Sequence, residues 1–428
     1  MSGSRLAHTL TLPQLVFYGV GSMVGAGIYS VIGAAAGEAG SYLWVSFLAA
    51  GCVALLTVLS YAELSARFPK AGAEYQYLKT AFPAQRFLAF FAGYLICVSA
   101  AATSATVSLA FAGYADVFMD LPELPTALGL LMLCTLINMW GIQQSTWVSI
   151  TLISIEVLGL VAVIAAAFLS EPPAASAADG DVSFTGVAVA TSLIFFVFMG
   201  FEEVANLSEE AKEPKTAVPR ALITCVVVTT ALYLMVGFAA THLASPQELS
   251  SSNAPLSLAA GKASPVFVPG LAVAALFATA STALISLVSI SRMLFGMARD
   301  GAMPKPLSAT WSARKTPWAA ALVLFGAACA LLPLGEVKTI ASVSSFSVLL
   351  VFIGVQAALI GLRLRDGKPS AGFRVPLSVG RIPLPAVVGM FAAGALLTRF
   401  PTDVYIAGAL VIVIGCGLFL LVRHVRTR

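Results

Sequence analysis

Apolar runs of about 20 residues recur from one end of this chain to the other. A helix rises about 1.5 Å per residue, so each run is long enough to cross roughly 30 Å of hydrocarbon. Lipid offers the backbone no hydrogen-bond partners, and a run of this length meets that condition as an α-helix. Twelve runs stand out, near residues 12–36, 41–66, 84–114, 125–140, 145–169, 184–207, 218–243, 266–298, 317–334, 338–362, 384–400 and 404–422. Of the 428 residues 59% are hydrophobic and 10% charged, whereas soluble chains run near 45–50% apolar and about 25% charged. These figures exclude a soluble enzyme, a disulfide scaffold and a disordered chain. The expected fold class is all-α integral membrane, with twelve transmembrane helices.

The charges between the runs orient them. Of 24 Lys and Arg residues, 21 fall on one side of such a bundle; only Lys262, Lys338 and Arg399 fall on the other. Basic residues mark the cytoplasmic side, so both termini, 1–11 and 423–428, are expected in the cytoplasm. MSGSRLAHTL is weakly basic and leads directly into the first run, unlike a cleaved signal peptide. The net charge of +4 follows from membrane orientation and gives no reason to expect a nucleic-acid partner. Six cysteines (52, 97, 134, 225, 329 and 416) lie in apolar stretches without a CxxC pair, as small hydrophobes do. His8, His242 and His424 lie near termini or in a loop, and no catalytic motif is present; neither a metal nor a cofactor is expected.

Two runs carry breaks. Gly19, Gly21, Gly25 and Gly27 put four glycines into nine residues of the first run, each costing about 1 kcal/mol in a helix interior relative to alanine. Close packing of small residues against another helix is one explanation. The sixth run offers a counterpart, Phe195-Phe196-Val197-Phe198-Met199-Gly200-Phe201-Glu202-Glu203. Runs one and six correspond if 1–5 and 6–10 form two halves of a repeat, and paired interrupted helices point to a transporter's midplane site. Unwound backbone leaves N–H and C=O groups that a bound zwitterion can satisfy.

Gly25-Ala26-Gly27-Ile28-Tyr29 resembles the GxG-I-[FY] signature of the amino acid–polyamine–organocation (APC) superfamily. Three further stretches agree, in family order: Tyr61-Ala62-Glu63-Leu64 with Pro69-Lys70-Ala71-Gly72-Ala73-Glu74-Tyr75; Gly200-Phe201-Glu202-Glu203 with Glu209–Lys215 and Val218-Pro219-Arg220; and Ala298-Arg299-Asp300-Gly301. The resemblance covers about residues 12–365. It implies the leucine-transporter fold: two inverted five-helix repeats, 12–169 and 184–362, then peripheral helices at 384–422. It also implies that the N–H groups of Gly25, Ala26 and Gly27 hold a substrate carboxylate. Carbonyls near Met23 and Val24, and near Phe196 and Met199, would hold its amine, with Gly200 a further substrate-binding candidate. Phe196 would close over the substrate, with Phe195 and Phe198 as competing aromatics. Ile96, Cys97 and Ser286 are further pocket candidates.

Ionisable groups inside a membrane are costly and mark function. Glu202 and Glu203 follow the second break, and Glu202 is a candidate for gating or protonation. Glu156 lies mid-span where many sodium-independent relatives keep a lysine. With no lysine or arginine placed within a span where it could pair with Glu156, proton exchange or a bound cation is its expected chemistry; a permanently protonated, hydrogen-bonded side chain is the alternative. The polar run 208–215 is expected to be a solvated loop, and Arg299-Asp300-Gly301 a cap holding an ion pair.

The expected function is secondary active transport of an amino acid across the plasma (cell inner) membrane, proton-coupled and sodium-independent. The partners are the substrate, protons and membrane lipid. The apolar candidates favour a neutral or hydrophobic amino acid; a cationic amino acid, a small amine, or exchange are the alternatives. A membrane enzyme would need acidic, histidine or cysteine clusters at helix ends, and a channel would need rings of repeated charge; the sequence has neither.

Overall fold

A computed structural model describes residues 10–69, 73–140, 146–170, 184–310, 316–334, 336–366 and 372–426. Lys70-Ala71-Gly72, Arg5, His8, Arg314, Lys315, Lys368 and Arg428 lie outside the described residues, as do the side chains of Glu209, Glu210 and Arg426. The described chain is almost wholly helical. In order it forms α1 (Leu12–Val24), α2 (Ala26–Ala39), α3 (Leu43–Arg67), α4 (Ala73–Ala81), α5 (Arg86–Ala115), α6 (Glu123–Trp140), α7 (Thr146–Leu169), α8 (Phe184–Ile194) and α9 (Phe201–Asn206). Next come α10 (Pro214–Leu243), α11 (Pro246–Ser251), α12 (Pro255–Ala263), α13 (Phe267–Arg299), α14 (Trp318–Leu331), α15 (Val337–Asp366), α16 (Leu384–Leu397) and α17 (Thr402–Arg426). A small antiparallel hairpin, β1 (Ser378–Val379) and β2 (Ile382–Pro383), turns at Gly380 before α16.

Among the described residues seven stretches are long and apolar enough to cross a membrane: Ala26–Arg67, Arg86–Ala115, Phe184–Asn206, Pro214–Leu243, Phe267–Arg299, Val337–Asp366 and Thr402–His424. Five further apolar helices among those residues are shorter, Leu12–Val24 being one. The first stretch joins α2 to α3 through the tight turn Gly40–Tyr42, where Gly40 takes φ 57°. That left-handed backbone suits glycine. Helix starts follow local rules. Thr11 and Gln14 cap α1, the Thr11 N–H donating to Gln14 Oε1 at 2.9 Å. Prolines open α10, α11 and α12, where a missing N–H is harmless. Hydroxyls inside the helices, such as Thr57, Ser108, Thr135, Thr191 and Thr279, donate to carbonyls four residues back.

α5 lies at the centre between α13 and α15, while α3 packs along α10 and α1 along α10 and α9. Small residues line these contacts; a Cβ on Gly19 would come within 2.6 Å of Val204, and one on Gly51 within 2.5 Å of Thr230. α17 leaves Ile406, Leu410, Val413 and Leu420 exposed on the outside of the bundle. Ion pairs tie the ends. Lys79 of α4 stands 3.5 Å from Asp300, the residue capping α13. At the opposite end Lys338 pairs with Glu38, and Lys262 with Glu248.

One charged cluster corrects the inventory of ionisable groups inside the spans, because Glu63 is a fourth carboxylate there. It is fully buried and accepts four hydrogen bonds. Arg363 donates twice, through Nε (2.8 Å) and Nη2; Arg67 donates at 2.7 Å and the Val375 N–H at 2.8 Å. Arg363 is itself fully buried and also donates to Ser378 Oγ and the Val375 carbonyl. A buried charge is tolerable only with such pairing. The polar run after α9 is likewise less solvated than expected: Ala211 is buried and the Lys212 N–H donates to the Leu10 carbonyl at 2.9 Å.

Candidate functional site

Both expected breaks are present, and they touch. α1 ends where Gly25 leaves helical geometry (φ −39°, ψ −157°) and α2 restarts at Ala26. Beyond α8 the chain tightens into a single 3-10 turn, Phe195–Phe198, then extends at Met199 and turns at Gly200 before α9. Gly200 takes φ +120°, a conformation that side-chain-bearing residues rarely adopt. A Cβ there would stand 2.6 Å from the Ser22 carbonyl oxygen, so the second break is seated directly on the first.

Groups released by the breaks are recaptured locally and by side chains from unbroken helices. The buried Tyr233 hydroxyl of α10 donates to the Met23 carbonyl at 2.5 Å, with the Val197 carbonyl at 3.2 Å. One phenol thus spans both breaks. The Gly200 N–H donates to Glu202 Oε2 at 2.9 Å. The Ala26 N–H donates to Thr282 Oγ1 of α13 at 3.0 Å, and the Gly25 N–H returns to the Gly21 carbonyl at 3.2 Å. Ser281, the neighbour of Thr282, donates to Glu156 Oε1 at 2.7 Å. The Tyr29 hydroxyl donates to the Glu156 backbone carbonyl (2.7 Å), and Tyr114 to that of Tyr29 (3.1 Å).

A cavity of about 1100 Å³, its open mouth included, lies against the breaks. Met23, Gly25, Ala26, Gly27, Ile96, Phe196, Met199, Gly200, Ser286, Glu156 and Glu202 line it, together with Glu203. Val24 and Cys97 do not: both are buried, and each is rotated about 100° round its helix from a lining neighbour. The lining also includes Tyr18, Ser22, Ser99, Thr103, Ile153, Ser281, Thr282 and Ile285, which sequence reasoning missed. These are unexceptional residues of long helices, and no motif marks them. Among the described residues the wall therefore holds three carboxylates and no Lys, Arg or His. Its residues reach along α1, α9 and α13 from the breaks toward the α4 end, and include none of α2 beyond Gly27 and none of α8.

The glycines of the first break serve protein packing. A Cβ on Gly25 would meet Thr282 Oγ1 at 2.5 Å, and one on Gly27 would meet the Val197 Cα at 3.2 Å. The small-residue explanation for this cluster therefore has direct support, at positions that also face the cavity. Toward the α4 end, buried Glu74 accepts from the Tyr61 hydroxyl at 2.9 Å, and its burial raises its carboxyl pKa above the ordinary value. The Ala73 N–H donates to Asn206 Oδ1, tying α4 to the end of α9.

A family model for amino acid permeases matches residues 10–422. The chain belongs to that family. With it comes membership of the APC superfamily, which the motifs resemble. This permease is 31% identical to an uncharacterised transporter of Mycobacterium tuberculosis, over 99% of this chain and 93% of the relative. It is 28% identical to the branched-chain amino acid permease BcaP of Bacillus subtilis, covering 88% of this chain and 85% of that one. A chloroplastic cationic amino acid transporter of Arabidopsis thaliana is 29% identical, covering 86% of this chain and 68% of that one. The permease is thus a multi-pass membrane protein of amino acid transport and not an enzyme.

Proposed function

We propose that this permease is a secondary active transporter that carries a neutral or hydrophobic amino acid across the plasma (cell inner) membrane by alternating access, driven by protons and independent of sodium. The observation that carries the reading is the meeting of two interrupted helices, Gly200 against Ser22, at a buried cavity. Such pairs mark midplane substrate sites. In this proposal the chain spans twelve times, with 12–169 and 184–362 as inverted repeats, 384–422 peripheral, and both termini cytoplasmic by the basic-residue bias. The cavity then runs from the breaks toward the cytoplasm, which corresponds to an inward-facing form.

Within that site the substrate carboxylate sits at the first turn of α2, where helix N–H groups lack internal acceptors. The amine meets the carbonyls near Met23 and those from Phe196 to Met199, and Phe196 closes over the side chain. Val24 and Cys97 are left out, since neither reaches the cavity wall. Ile96, Ile153, Phe196, Val197, Met199 and Ile285 support an apolar substrate side chain. Glu156 and Glu202 carry the proton, being carboxylates in the wall with hydroxyl or N–H partners rather than a cation. A cationic amino acid or small amine is the second reading, favoured by three carboxylates in a wall that has no basic residue among those described.

Purified protein in proteoliposomes tests this. Inward-acid and outward-acid pH gradients are imposed with each radiolabelled amino acid in turn. Saturable accumulation that follows the proton gradient and ignores sodium is expected. Uptake indifferent to the proton gradient refutes the coupling, and the absence of saturable amino acid flux refutes the function.

A further inference from the structure

The first turn of α2 already has an occupant. Thr282 Oγ1 accepts the Ala26 N–H at 3.0 Å, and only the missing Cβ of Gly25 lets the hydroxyl come so close, since that atom would stand 2.5 Å away. Thr282 lines the cavity from α13, a helix that has no break of its own. Its oxygen is an acceptor at a helix N-terminus, which is the part a carboxylate oxygen plays there. The neighbouring Ser281 is engaged in a different contact, donating to Glu156.

We propose that Thr282 is a positioning residue whose hydroxyl stands in for the substrate carboxylate on the Ala26 N–H and must give up that hydrogen bond when an amino acid binds. The proposal rests on the carboxylate site assigned above to the first turn of α2. It has two physical consequences. With no amino acid bound, the Ala26 N–H is satisfied in a place where unpaired groups are costly, so the junction between α1 and α2 stays attached to α13. Binding then exchanges one acceptor for another, and the affinity measured is lower by the strength of the hydrogen bond displaced.

The sign of that effect separates the proposal from an ordinary structural role. Removing a structural hydrogen bond weakens binding or leaves it unchanged. Removing a competitor strengthens it. Thr282→Val keeps the branched shape and deletes the oxygen, and should tighten binding about fivefold, the equivalent of a net hydrogen bond of roughly 1 kcal/mol. Thr282→Ser keeps the acceptor and should bind as wild type does.

The probes are the twenty proteinogenic L-amino acids, titrated one at a time on purified wild-type protein, followed by the tightest binder and its carboxamide on each variant. The tightest binder should gain about fivefold in affinity on Thr282→Val, with KM for uptake falling in parallel while the maximal rate does not rise. The carboxamide, which lacks the carboxylate, should gain less. Should Thr282→Val be polydisperse on size exclusion, Thr282→Ala carries the same expectation. Unchanged or weaker binding in a folded variant overturns the proposal while leaving the function intact. If no amino acid binds the wild-type protein, the function and the proposal both fall.

Discussion

Replacing Tyr233 with phenylalanine removes a single oxygen from the point where the two breaks are held together. The ring would stay in place, since it packs 5.7 Å from Phe47 and edge-on 5.4 Å from Phe198, centroid to centroid. The loss is therefore confined to one O–H, which donates to the Met23 carbonyl at 2.5 Å and lies 3.2 Å from that of Val197. A buried group left without its partner costs about 1–3 kcal/mol. Two carbonyls share this donor, so the expected destabilisation is in the upper half of that range, about 2–3 kcal/mol. Thermal unfolding of wild type and variant in the same detergent measures it. A second expectation follows if the Met23 carbonyl also meets the substrate amine: a bound amino acid supplies the missing donor, so the variant should gain more in stability on binding than wild type does. A variant within about 0.5 kcal/mol of wild type would mean that the phenol does not satisfy the breaks, and that the carbonyls find another donor.

Three further outcomes are expected. Gly27→Leu would drive a side chain into the Val197 backbone and part the two breaks, so it should abolish amino acid binding in protein that still inserts; wild-type affinity in calorimetric titration would refute the role given to this glycine. Glu156→Gln mimics the protonated carboxyl and should bind substrate and exchange it, yet lose accumulation driven by a pH gradient; unchanged accumulation in proteoliposomes would shift the coupling to Glu202. Lys262 and the Ser245 cap hold the Glu248 carboxyl down at about 2, so this acid stabilises the protein above its unfolded pKa of about 4.3 and loses that contribution as pH falls toward 2. Both partners are about half exposed, which limits the contribution to about 1 kcal/mol. The gap in unfolding stability between wild type and Glu248→Gln should be flat above pH 5 and close as pH drops; a gap that persists at pH 2 would refute the linkage.

The membrane class and both breaks were legible because each leaves a local mark. An apolar run of 20 residues needs no partner to be identified, and a Gly cluster or a Phe-Met-Gly step is costly in a helix wherever it packs. The lining was legible in part. Ile96 was identified and its neighbour Cys97 was included with it, but a helix turns about 100° per residue, so only one of the two reaches the cavity. Val24 differs from Met23 in the same way. Glu63 stands in a quoted motif but is absent from the ionisable groups expected inside the spans, for another reason. It lies near the end of an apolar run, and nothing in that run signals that Arg363, 300 residues later, meets it in a fully buried pair. Thr282, Ser281 and Tyr233 left no mark at all. They are ordinary residues of unbroken helices, 256, 125 and 210 positions from the groups they hold, and only the packing of α10 and α13 against the breaks gives them a task.

Those three hydroxyls also bear on how such a site can move. A buried donor left without its partner costs about 1–3 kcal/mol, so helices tied by single hydrogen bonds resist parting unless a second partner is already within reach. Tyr233 has two acceptors, one on each break, at 2.5 and 3.2 Å. Ser281 also has two, Glu156 Oε1 at 2.7 Å and the Ala278 carbonyl of its own helix at 3.0 Å. Each can release one partner and keep the other, so α10 can follow either break and α13 can separate from α7 without leaving the hydroxyl unpaired. Thr282 differs because the group it would release is the backbone N–H of Ala26, held here by a bond to the Thr282 hydroxyl at 3.0 Å. An incoming carboxylate supplies another acceptor, which makes the contact between α13 and the first break the one whose opening depends on substrate.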